Sequence, residues 1–588
     1  MEISTLDWSF IAGFFVVSLA IGLVVARQSG KSASAFFLSG RNMPWWLLGV
    51  SMVATTFSAD TPNLVTDIVR KDGVAGNWVW WAFLITGMLT VFVYAKLWRR
   101  SGVLTDLEFY EMRYSGKEAA FLRGFRALYL GIAFNILIMA TVCLAAIKIG
   151  GVLLGLSPGQ TLLIASVVTV AYSAIGGLKG IILTDFFQFI LAMIGTIWAA
   201  IVIVNLPEVG GLDSLMAHEN VVDKLDFFPT DNKELLWSLL IIPLAVQWWA
   251  AYYPGAEPGG GGYIAQRMLA AKDEKHAMGA TLLFNLAHYA LRPWPWILIA
   301  LASLIVFPDL TSLQAAFPAI DASVVNDDLA YPAMLTYLPA GLLGLVIASL
   351  IAAFMSTIST HLNWGSSYIV NDFYKRFVNP DASEKDLVLI GRISTVVLMI
   401  FAALIALLMD NAKQAFDIIV LMGAGTGLLF ILRWFWWRIN AYSEIAAMVI
   451  SFVVAITFKF ILPEGTFEGH TELILSVLIT TVGWIAVTYL TPAVEHKTLI
   501  DFYKLIKPHN MGWKSVVEKG MADGEIDKEE ISVGKLPMEL SGMFAGVFLV
   551  YGMLFTTGFW LYGEMGNALI GLGISIVSGF ILWRVWRK

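Results

Sequence analysis

Between Leu350 and Asp372 the chain reads LIAAFMSTISTHLNWGSSYIVND, an apolar stretch that still carries Ser356, Thr357, Ser359 and Thr360. On an α-helix, Ala353, Ser356, Thr357 and Thr360 fall at i, i+3, i+4 and i+7, so one narrow face gathers several oxygen atoms. Neutral oxygens grouped in this way can ligate a small hard cation. The alternative for each hydroxyl is a bond to its own helix or to a neighbouring one, as Ser and Thr commonly make in membrane helices.

Two other stretches read as interrupted helices. In WWLLGVSMVATTFSADTPNLVTDIV (45–69) the break falls at 58–62, where Pro62 removes an amide donor and Asp60 puts a carboxylate at depth. In 236–270 the run Pro254, Gly255, Pro258 and Gly259 to Gly262 cannot continue a helix, yet apolar sequence flanks it on both sides. Backbone groups freed at such breaks cannot face lipid, so they must face protein or a water-filled cavity. Groups near the two breaks sketch that cavity: Asp60, Asn63, Asn77, Trp78, Gln247, Trp248, Tyr252, Tyr253, Glu257 and Tyr263. Aromatic faces with amides and acids suit a sugar or polyol ring, whereas exposed half-helix ends suit an amino-acid carboxylate. For Arg292, a cation near mid-depth, a structural carboxylate partner is expected ahead of a substrate anion. His361 reads as packing or gating.

The elements that must hold these groups are membrane helices. Of 588 residues, 58% are hydrophobic and only 14% charged, far from the balance of a soluble protein. Hydropathy windows give about fifteen apolar segments, so the chain is all-α and polytopic. Most of the 38 Lys and Arg fall in alternate loops and helix ends, while 208–234 and 309–328 are acidic. The positive-inside rule then places the N-terminus outside and the C-terminus in the cytoplasm of a cell membrane, with 236–270 counted as a single crossing. The first segment, lacking a basic n-region, reads as a retained helix. The parts are an extra helix (1–30), two oppositely oriented five-helix halves (45–205 and 236–436), accessory helices (437–491), a charged linker (492–537) that reads as solvated with short amphipathic helices, and two last helices (538–588).

Other functions are disfavoured. The single Cys143 rules out an intrachain disulfide or thiolate metal site, and no basic surface for nucleic acid, phosphate loop, zinc motif or nucleophile elbow is present. An enzyme is therefore not expected, nor is an obligate protein partner. A passive channel or a solute sensor built on the same helices stays open beside an ion-driven carrier.

Several motifs together carry a family resemblance. Phe37-Leu38-Ser39-Gly40-Arg41, the Ala54 to Phe57 turn, Tyr172 to Gly180 with Thr184-Asp185, Gln266-Arg267-Met268-Leu269-Ala270-Ala271-Lys272 and Ala353-Phe354-Met355-Ser356-Thr357 resemble the solute:sodium symporter family over about residues 8–491. That resemblance implies a LeuT-like 5+5 inverted repeat with discontinuous first and sixth core helices, and Na+ as the co-transported ion. It also implies a sodium site made by the carbonyls of Ala54, Phe57 and Ala353 with the hydroxyls of Ser356 and Thr357. A second sodium site, found in some members, is matched here by Asp185, Ser356, Ser359 and Thr360. Sugar-carrying members have a Glu near the positions of Asn77 to Trp80, and this chain has none there, which implies another solute or another pose. The expected activity is sodium-coupled symport of a small polar solute across the bilayer.

Overall fold

The computed structural model describes residues 3–29, 32–230, 232–251, 256–318, 320, 325–409, 423–463, 465–467, 469–532 and 534–587. Among these residues the chain is all-helical, and eleven helices are long and apolar enough to cross a membrane. The other four expected segments are the two interrupted ones, the short helix Pro158–Ala171, and 414–436, whose start lies outside the described residues.

Helix α1 is Thr5–Ser29. The first core helix is split into α2 (Trp45–Thr56) and α3 (Asp60–Asp72). Phe57 leaves helical torsion at φ −92° and ψ 76°, and its N–H donates to the carbonyls of Val53 at 2.9 Å and Ala54 at 3.1 Å. Pro62 sits in the first turn of α3, where its missing N–H removes no helical bond.

The kink at Gly177 (φ 55°, ψ −166°) starts helix α4 (Gly177–Val204), which carries Asp185. The second interrupted helix stops at Ala251, which is extended, and resumes as α5 (Gly262–Ala270). Its glycines are required by geometry: Gly260 has φ 74°, and a Cβ there would lie 2.9 Å from Met268 Cε and 3.2 Å from Thr90 Cγ2.

The hydroxyl-bearing helix α6 (Leu342–Ser367) packs along α4 and against α1 and α2. Its first turn is capped from α1, where Asp7 Oδ1 accepts the N–H groups of Gly341 and Gly344 at 2.7 Å each. A carboxylate there complements the positive end of the helix dipole and fixes α6 along its axis. The approach is close enough to require glycine, since a Cβ on Gly344 would come within 2.3 Å of Asp7 Cα.

The charged linker corrects one expectation. Rather than being solvated, 492–537 docks two amphipathic helices, α7 (His496–Ile506) and α8 (Lys514–Ala522), on the Lys- and Arg-rich end of the bundle. Phe502, Tyr503, Ile506 and Trp513 are buried, Arg100 Nη1 donates to the Ile506 carbonyl at 2.5 Å, and Phe502 stacks on Trp513. Charge pattern reports only the outward faces of such helices, and the apolar faces found a partner. The last two helices, α9 (Leu536–Leu561) and Met565–Arg587, pair with each other, and Lys96 and His509 both bond Glu539 at the start of α9.

Candidate sodium and solute sites

The residues expected to bind sodium are all buried, at the break after α2 and on the facing surface of α6. Thr357 Oγ1 donates to the Thr55 carbonyl at 2.8 Å, which brings α6 to the residue beside Ala54. Ser356 Oγ donates to Asp185 Oδ1 at 2.6 Å. A hydroxyl whose proton is committed elsewhere still offers lone pairs to a cation. The open carbonyl end of α2 adds the negative end of a helix dipole. Phe57 is held by stacking on Trp296, with ring centroids 5.0 Å apart. The oxygens present therefore suit a monovalent hard cation.

The second expected set is arranged around an arginine. Asp185 accepts from Ser356 at Oδ1 and, at 2.5 Å, from Ser51 Oγ at Oδ2; the guanidinium of Arg267 lies 3.8 Å from that same Oδ2. Arg267 Nη2 donates to Thr360 Oγ1 at 2.7 Å, and Thr360 and Thr55 share a 3.0 Å bond. Ser359 turns back to its own helix, donating to the Ser356 carbonyl at 3.0 Å.

The solute candidates separate into groups. Asp60 Oδ1 and both polar side-chain atoms of the buried Asn63 have no hydrogen-bond partner among the described residues, so these groups at the first break are available to a ligand. Glu257 lies at the second break, its Oε1 3.2 Å from where a Cβ on Gly262 would sit, and Tyr263 packs edge-on to His361 and Trp364. Asn77 and Trp78 are placed elsewhere: Asn77 bonds Val74 and Trp80, and Trp78 bonds the Phe227 carbonyl inside an aromatic cluster with Trp81, Tyr551 and Phe555. Gln247 Nε2 is committed to the Val79 carbonyl, and Trp248 Nε1 to that of Leu244. Tyr252 and Tyr253 lie outside the described residues.

Residues not singled out as ligands complete the picture. Ser51 and Thr55, one turn apart on α2, both meet Arg267, a pattern visible in sequence only as two hydroxyls at i and i+4. On the other side of the break, Thr56 Oγ1 bonds His288 Nδ1 at 2.9 Å and accepts from Arg292 at 3.2 Å, while Arg292 also contacts His288 and the face of Trp296. The charge of Arg292 also acts on the Asp60 carboxylate. Asp106 accepts the Gly262 N–H at 3.0 Å and the Tyr368 hydroxyl at 2.5 Å, capping α5.

Paired discontinuous helices in a polytopic bundle, with neutral oxygens converging at one break, define a secondary transporter. The model of the Sodium:solute symporter family matches residues 36–451, and the chain belongs to that family. It is similar to a sodium/glucose cotransporter of Vibrio parahaemolyticus, 28% identical over 84% of this chain and 92% of that one. It is also similar to a human sodium/myo-inositol cotransporter, 26% identical over 79% of this chain and 68% of the relative. Among solved structures, a Na+-coupled sialic acid symporter aligns with TM-score 0.68 at 22% identity, over 84% of this chain and 99% of that one. The chain is a multi-pass membrane transporter with the LeuT-like fold, and its activity is sodium-coupled symport of a small solute.

Proposed function

We propose that Ala54, Phe57, Ala353, Ser356 and Thr357 hold the transported sodium, and that the solute is a polyhydroxylated ring, a sugar or cyclic polyol, bound beside it at the first break. The observation that carries the sodium reading is the Thr357 to Thr55 bond, which sets two hydroxyl oxygens of α6 against the open carbonyl end of α2. For the solute, the uncommitted atoms of Asp60 and Asn63 can accept from and donate to hydroxyls. Relatives named for glucose, mannose and myo-inositol favour the same class. Glu257 and Tyr263, at the second break, are assigned to the same solute site.

In this reading the halves 45–205 and 236–436 rock around the site by alternating access. The protein is a carrier rather than an enzyme, sits in the cell membrane with its N-terminus outside, and needs no obligate protein partner. The hydrogen bonds of Arg99 and Arg100 to Ala271, Lys272 and Glu274 gather basic groups at one end of the bundle, which supports a cytoplasmic face there. Uptake of labelled glucose, myo-inositol, a sugar acid and proline by proteoliposomes, with and without a sodium gradient, tests the assignment. Sodium-dependent accumulation of a ring polyol supports it. Accumulation of proline alone overturns the solute class, and equilibration without accumulation favours a channel.

A further inference from the structure

We infer that Arg267 is a resident cation that fills the Asp185 set, so the protein binds one sodium ion per chain rather than two. The inference rests on the sodium reading of the first site. Asp185 and Arg267 are both fully buried, and they form a pair with no net charge. The guanidinium occupies the donor-accepting positions that a second sodium needs. Its Nη2 takes Thr360 Oγ1 at 2.7 Å and Thr55 Oγ1 at 3.5 Å, and its Nε takes Ser51 Oγ at 3.3 Å. Ser51 Oγ in turn donates a hydrogen bond to Asp185 Oδ2, so one hydroxyl bridges the two charged groups.

The arginine is also braced against swinging away. Its Nη1 donates to Gln266 Oε1 at 3.0 Å, and Gln266 Nε2 is in turn held by the Phe37 carbonyl and Asn363 Oδ1. A sodium ion added to this neutral pair would leave one uncompensated positive charge in a medium that screens it poorly. Hydroxyls that would otherwise coordinate an ion are thus committed as acceptors to a tethered one.

The arrangement also ties three elements together: α5 through Arg267, α4 through Asp185 and α6 through Thr360. Ser356 belongs both to this network and to the first site, because its proton goes to Asp185 while its lone pairs remain for sodium. Arg267 is therefore a positioning residue for the first site as well as an occupant of the second.

The test counts sodium ions bound by purified full-length protein, using sodium-22 alone with no solute. One ion per chain and a non-cooperative isotherm are expected for the wild type. The charge-neutral double variant Asp185→Asn with Arg267→Gln, which also removes the brace on the first-site ligand Ser356, is expected to weaken binding of that one ion without adding a second. Arg267→Met, checked for a monodisperse fold, strips the neutralising cation from Asp185 and is expected to raise the count to two. Two ions per wild-type chain, falling to one in the double variant, overturn the inference, as does a folded Arg267→Met protein that still binds one. No sodium bound by the wild type overturns the first-site reading itself, a result distinct from either.

Discussion

The indole N–H of Trp513 donates to the carbonyl oxygen of Trp434 across 3.0 Å, pinning the linker to the basic end of the helix bundle. The Arg113 guanidinium lies 4.9 Å above the same ring, and Arg113 Nε also donates to the Arg433 carbonyl at 2.9 Å. Removing a fully buried Trp costs about 3–5 kcal/mol in lost packing. Trp513→Ala is accordingly expected to release α7 and α8 locally. Trypsin cleavage at Lys504 or Lys514 should become at least tenfold faster, about the effect of 1.4 kcal/mol of local opening. Unchanged digestion would show that the docking is held elsewhere.

At the sodium site, Ser356→Ala and Thr357→Ala each remove one oxygen from a set of about five. The sodium concentration for half-saturation of sodium-22 binding should rise about tenfold in each, corresponding to roughly 1.4 kcal/mol per ligand. Identical isotherms for both variants and the wild type would falsify the site.

Asp60 and Glu257 sit at the two breaks, and Asp60 holds an uncommitted oxygen. Asp60→Asn and Glu257→Gln are expected to raise the solute concentration for half-maximal sodium-driven uptake about tenfold, since a lost charged hydrogen bond is worth about 1.5–3 kcal/mol. Wild-type affinity in both variants removes these acids from the cavity.

A pH effect is expected outside the membrane-spanning segments. Burial pushes the Glu111 carboxyl up, but hydrogen bonds from Arg376 and Arg123 outweigh it and hold the group below its ordinary value. A carboxyl depressed in the folded state contributes stability above its unfolded pKa, and that contribution disappears as pH falls through the folded value. Glu111→Gln should therefore lower the melting temperature at pH 7 by about 1 °C, a modest effect because the group is partly solvated. The difference from wild type should shrink below about pH 4. A difference that persists unchanged at low pH would assign the effect to packing.

The sequence by itself determined the membrane class, the two helix breaks and the clustered hydroxyls. Each of these is local: apolar run length, Pro and Gly torsions, and the spacing of Ser356, Thr357 and Thr360 on one helix face. The family resemblance likewise rested on contiguous motifs, and the family match at residues 36–451 agrees with it. Tertiary structure decided what those hydroxyls are used for. Arg267 is 82 residues from Asp185 and 93 from Thr360, and no periodicity signals that a buried guanidinium meets both. It also decided what Trp78 and Asn77 bond, the distant Phe227 carbonyl for the one and the neighbouring Trp80 for the other. The linker shows the same division: its charges were legible, but the apolar faces of α7 and α8 acquired meaning only when Trp434 and Arg113 supplied the surface they cover. Local patterns fix which elements form, whereas long-range contacts fix which side chains must neutralise one another once water is excluded.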